Sequence, residues 1–124
     1  MKTLINLLLV SLSGMAMAAE KEFRPPSVPL VVHTPYFSVW SPGDRLTDTN
    51  TENWTGTPQP LDSLIRIDGH AYRLMGVGPA KMPALRQISV EVLPTRTIAV
   101  FTNENVQVTM TFMTPALLDD LDVL

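Results

Sequence analysis

The chain has 124 residues with no cysteine, 11 prolines, 45% hydrophobic residues and a formal net charge of −3. That size permits one domain with a modest core. Scattered, mildly acidic charge excludes an electrostatic footprint for nucleic acid, and the missing thiols exclude disulfides, cysteine zinc sites and a thiolate nucleophile.

Lys2 precedes an apolar run over residues 4–12, and small residues then lead to Ala16-Met17-Ala18. A positive start, a short apolar stretch and an A-x-A site read as a secretory signal helix over 1–18, cleaved after Ala18. The run is shorter than the roughly 20 residues that span a bilayer, so no membrane contact is expected after cleavage. The expected location is secreted or periplasmic. Residues 19–29 carry Pro25, Pro26 and Pro29 and read as an extended Pro-rich arm lying over something larger.

A β domain is expected over 30–124. Its first two strands, Leu30-Val31-Val32 and Phe37-Ser38-Val39-Trp40, are separated at Pro35, which cannot sit inside a continuous paired strand. His33 between them reads as a hydrogen-bonded structural residue. Residues 41–60 are polar and turn-rich, and only Leu46 and Trp54 are large and apolar. A loop of that length is either functional or packed against a neighbour, with one helical turn allowed near Leu46.

Leu64-Ile65-Arg66-Ile67 and Ala71-Tyr72-Arg73-Leu74-Met75 flank Asp68-Gly69, the signal of a two-residue type I′ hairpin with His70 solvated at its tip. Gly76, Gly78, Pro79 and Pro83 mark a loop. Ile88, Val90 and Val92 then alternate with Gln87, Ser89 and Glu91. After a turn at 94–96 comes a run over 97–101, and after Asn103-Glu104-Asn105 comes a last strand. There Val106, Val108, Met110 and Phe112 alternate with polar residues. Period-two alternation predicts an antiparallel sheet with one buried face. The fold class is all-β, a partial β-sandwich. A one-faced sheet needs a second layer, which the chain does not visibly encode. With the apolar tail after Pro115, this predicts either the first part of a longer polypeptide or a dimer.

The candidate site residues are Asp44, Arg45, Asp48, Asn53 and Trp54. They bring two carboxylates, a guanidinium, an amide and an indole into one segment. Such a set holds a sugar or a small polar ligand, or it anchors a loop to a neighbouring domain. Anchoring is preferred, because paired carboxylates do acid–base work only about 5–10 Å apart, which sequence does not show. No metal is expected: the two histidines lack partners at ligand spacing, and Asp48, Asn50 and Glu52 lack the glycine and distal glutamate of an EF-hand. No cofactor is expected, since no phosphate or dinucleotide fingerprint occurs. Asn53-Trp54-Thr55 is a formal glycosylation sequon in a eukaryote. The alternative reading is a carbohydrate- or ligand-binding β-sandwich with Trp54 and Tyr36 as platforms.

Several stretches together resemble one family. They begin with Phe23-Arg24-Pro25-Pro26-Ser27-Val28-Pro29-Leu30-Val31-Val32-His33-Thr34-Pro35-Tyr36-Phe37-Ser38-Val39-Trp40-Ser41, followed by Asp44-Arg45-Leu46-Thr47-Asp48 and Asn53-Trp54-Thr55-Gly56. Pro58-Gln59-Pro60-Leu61, Ile65-Arg66-Ile67-Asp68-Gly69 and Thr114-Pro115-Ala116-Leu117-Leu118-Asp119-Asp120-Leu121-Asp122 complete the series. In this order they resemble the N-terminal segment of the secreted glutaminase A family, a domain of unknown function (DUF4964).

The resemblance implies a longer protein similar to six-hairpin glycosidases, with β-sandwich regions ahead of an α/α toroid. It implies hydrolysis of L-glutamine to L-glutamate and ammonia by full-length relatives. It carries no catalytic residue onto these positions, and this β segment is expected to be inactive alone. The implied partner is the toroid in the remainder of the same polypeptide, with a small polar substrate beside it. By that analogy, residues 44–56 touch substrate or the helical domain.

Overall fold

The computed structural model describes residues 24–114, and every regular element among them is a strand. Seven strands follow in chain order: β1 (Val28–Thr34), β2 (Phe37–Ser41), β3 (Ser63–Ile67), β4 (His70–Met75), β5 (Arg86–Leu93), β6 (Arg96–Thr102) and β7 (Gln107–Met113). All pair antiparallel, as a β1–β2 hairpin, a β3–β4 hairpin and a three-stranded β5–β6–β7 sheet. The signal segment with Ala16 and Ala18, the arm before Arg24 and the tail from Pro115 lie outside the described residues.

The β3–β4 turn takes the conformation its sequence demands. Asp68 has φ 49° and Gly69 φ 82°, both left-handed, as a type I′ turn requires. His70 is exposed there, its Nδ1 lying 3.1 Å from the Asp68 carbonyl. In the three-stranded sheet the alternation becomes burial. Thr97, Ala99 and Phe101 of β6 point inward and are buried, beside Val90 of β5 and Val108, Met110 and Phe112 of β7.

The Pro-rich arm ends earlier than the sequence suggests. Val28 and Pro29 belong to β1, opposite Ser41 and Trp40. Pro29 is tolerated because it lies near the start of a strand that pairs on one side. Its carbonyl accepts the Thr97 hydroxyl at 2.6 Å, tying β1 to β6. His33, expected as a hydrogen-bonded structural residue, makes no side-chain hydrogen bond among the described residues. It is the extra residue where the register slips between Val32 and Thr34, and it is exposed. Ile88 leaves its expected face for the same reason. It falls in the β5 bulge between Gln87 and Ser89 and is 52% exposed.

Part of the missing second layer is present after all. The β1–β2 hairpin packs on β6 and β7, and Val32 N–H donates to the Thr114 hydroxyl at 3.1 Å. Val28, Leu30 and Val39 from that hairpin join Ala99 and Phe101 of the sheet in one core. Leu46, Ile67, Leu74, Met75 and Leu85 complete it, so all three strand groups contribute to a single apolar cluster.

Candidate functional site

The polar segment 41–60 is laced onto β2 through its backbone. Trp40 and Glu52 exchange two hydrogen bonds at 2.8 and 2.9 Å. Buried Thr51 closes the far side: its hydroxyl donates to the Gln59 carbonyl at 2.7 Å and accepts from Leu61 N–H at 2.8 Å. Between these clamps, Asn53 builds a tight turn. Its N–H donates to the Thr57 carbonyl and its own carbonyl accepts from Gly56 N–H, both at 2.8 Å. Its side-chain oxygen accepts Thr55 N–H at 3.2 Å, an Asx turn that mimics backbone. Gly56, with φ 82°, supplies the left-handed residue.

That turn carries Trp54 at its tip. The indole is 63% exposed, yet its N–H donates to the Pro35 carbonyl at 2.6 Å. Tyr36, 93% exposed, follows Pro35 in the β1–β2 turn. Pro35, Tyr36, Asn53, Trp54, Thr55, Thr57, Pro58 and Gln59 together line an open cleft of about 470 Å³. Among the described residues, none that lines it is charged. The Asn53 amide nitrogen is turned inward toward the Ser38 carbonyl and hydroxyl, 3.4 Å from each. It is therefore poorly placed for the sequon to be used.

The structure thus divides the five candidates. Asn53 and Trp54 reach the cleft; Asp44, Arg45 and Asp48 do not line it. Those three form a separate turn, where Asp48 N–H donates to the Arg45 carbonyl at 3.1 Å. The Asp48 carboxylate accepts Arg45 N–H in return at 2.9 Å. Asp44 pairs with Arg24 at 3.1 Å, and the same guanidinium donates to the Gly43 carbonyl. The Asp44 side chain is 92% exposed, so this pair adds little stability. The expected helical turn near Leu46 is this single hydrogen-bonded turn, with Leu46 itself buried.

Arg73, which reads in the sequence as an ordinary strand residue, holds the loops behind this segment. Its backbone bonds Pro83 and Leu85, each at 2.8 Å. Its half-buried guanidinium group donates from Nε to the Met82 carbonyl at 2.9 Å and from Nη1 to the Gly76 carbonyl at 2.6 Å. Nη1 also lies 3.3 Å from the Thr47 carbonyl, inside the polar segment. Gly76 completes the junction by donating to the Leu46 carbonyl at 2.9 Å. With φ 83° and the Asp62 carboxylate where an added Cβ would sit, that position accepts only glycine. An arginine spent on carbonyls has no sequence signature, because its partners come from two loops far apart in the chain.

A family model described as Domain of unknown function (DUF4964) matches residues 9–87. Over 123 aligned residues the chain is 33% identical to a curated protein named glutaminase A from Aspergillus oryzae (strain ATCC 42149 / RIB 40). The alignment covers 91% of this chain and 17% of that protein, so the chain spans less than a fifth of the relative it matches. No solved structure matches.

Proposed function

The chain belongs to the DUF4964 family, and from that premise we propose that it is the N-terminal β domain of an exported glutaminase-related protein, not catalytic by itself. The observation carrying this reading is its 33% identity to glutaminase A across 91% of its own length and only 17% of the relative's. In this reading glutamine hydrolysis belongs to the remainder of the polypeptide, an α/α toroid, and residues 44–56 touch substrate or that domain.

The chemistry of the segment supports a non-catalytic part. Amide hydrolysis needs a nucleophile, a base within hydrogen-bond reach and donors for the developing oxyanion. Of the candidate carboxylates, Asp48 accepts the Arg45 N–H and Asp44 lies exposed beside Arg24, and neither lines the cleft. The test is ammonia release from L-glutamine by the purified 124-residue chain. The expected rate is that of the buffer alone. Release that disappears in Asp48→Ala would overturn the assignment.

Export is checked separately by the mass of the product from a secreting host. The mature chain is expected to begin at Ala19, after removal of the segment ending Ala16-Met17-Ala18. A secreted product still carrying residues 1–18 would refute the signal reading.

A further inference from the structure

We infer that the Tyr36–Trp54 cleft binds a neutral saccharide, stacking a pyranose ring on the exposed indole. Four observations lead there. At about 470 Å³ the cleft has the size of small-ligand sites, which run from about 300 to 1,000 Å³. Its two aromatic side chains offer broad surfaces to solvent, at 63% and 93% exposure. An apolar aromatic face beside a polar edge suits a ligand that is itself apolar on one side and wet on the other.

The third observation is rigidity. Trp54 is held by its own hydrogen bond to Pro35 and stands on a turn closed by Asn53, Thr57 and Gly56. Much of the ordering cost of an exposed aromatic contact is already met before a ligand arrives. Such anchoring also removes the indole N–H from ligand recognition. A proline-rich peptide presents backbone carbonyls that want an N–H donor, and the cleft's indole donor is engaged. A sugar needs only the ring face, with hydroxyl partners at the edge. There Thr55 donates its hydroxyl to Asn53 Oδ1 at 3.2 Å and Thr57 donates to Thr55 at 3.0 Å, which leaves both oxygens as acceptors for sugar hydroxyls beside the Tyr36 phenol.

The fourth is charge. With no acidic or basic residue in the lining, a zwitterionic amino acid would lose hydration without gaining a counter-charge. Glutamine is therefore the wrong ligand for this cleft, and a neutral polyhydroxylated one is the right one. The inference goes beyond the place of the domain in a glutaminase-related protein, and either can fail without the other.

The experiment titrates the 124-residue chain with cellohexaose, laminarihexaose, chitohexaose and maltohexaose by calorimetry and tryptophan fluorescence. L-glutamine and decaproline serve as competitors of other chemistry. At least one hexaose is expected to bind with a Kd below about 1 mM, largely independent of salt. Trp54→Ala should weaken it tenfold or more. Trp54→Phe, which keeps a ring but loses the bond to Pro35, should retain part of the affinity. Tyr36→Ala removes an almost fully exposed side chain, and it should weaken binding while leaving the circular dichroism spectrum unchanged. Failure of all four hexaoses to bind overturns the inference. So does affinity unchanged in both Trp54→Ala and Tyr36→Ala, or binding of glutamine or decaproline in place of a sugar.

Discussion

Phe101→Ala should lower the melting temperature by on the order of 15 °C or more, and leave much of the chain unfolded in mild denaturant. The ring is fully buried on the central strand of the β5–β6–β7 sheet, facing Gln87 on one side and Val108 on the other. It shares one apolar cluster with Val28 and Leu30 of β1, Val39 of β2 and Leu74 of β4. Truncating a buried phenylalanine costs about 3–5 kcal/mol, the transfer term plus the cavity left behind. A domain this small holds only about 5–10 kcal/mol in total, so the loss is a large share of it. Each kcal/mol is worth about 4–8 °C at this length. Thermal unfolding followed by circular dichroism measures the shift. A change under about 5 °C would mean that the hairpins do not close over β6.

The second large effect is at Arg73. Arg73→Met keeps an apolar stem but removes the donors to Met82, Gly76 and Thr47. Hydrogen bonds from a charged group contribute about 1.5–3 kcal/mol each in favourable cases, and a half-buried site gains less. Allowing for the long contact to Thr47, the expected loss is about 2–4 kcal/mol, read as a lower midpoint in urea at unchanged slope. Arg73→Lys should recover under half of it, because an ammonium cannot fork between carbonyls belonging to different loops. Amide exchange gives a local reading. The Gly76 N–H, bonded to Leu46, should lose protection in both variants before the β6 amides do. Equal urea midpoints for wild type and Arg73→Met would show that the guanidinium is dispensable.

The contrast between these two residues explains what the sequence discloses. Phe101 lies in a run whose alternation announces its face, and Asp68-Gly69 announces its turn through the torsions it permits. Both are local properties, and both are realised. Ile88 and His33 break the pattern because a bulge shifts the side-chain phase by one, and a bulge depends on the partner strand rather than on the residue. Arg73 is invisible for a related reason: its three acceptors are set by how separate loops converge. At the site, Trp54 and Tyr36 are legible as candidate platforms because large aromatics in a polar segment stand out. Their meeting in one cleft depends on the Pro35 carbonyl reaching the indole, a contact 19 residues apart in sequence. Asp44, Arg45 and Asp48 are legible only as a cluster of charge, and the structure places them in a turn away from the cleft.

Every strand among the described residues pairs with its immediate neighbour in the chain. The β1–β2, β3–β4 and β5–β6 connections are each two residues long, and β6 reaches β7 across a short turn. Loop closure on that scale takes well under a microsecond, and a hairpin forms in about 1–10 μs. Nothing paired early has to wait for a distant segment, unlike β folds whose strands are matched across long stretches of chain. Synthesis runs from the N-terminus, so each hairpin can zip as soon as its second strand has been made. Only the packing of finished hairpins against one another would remain for the end.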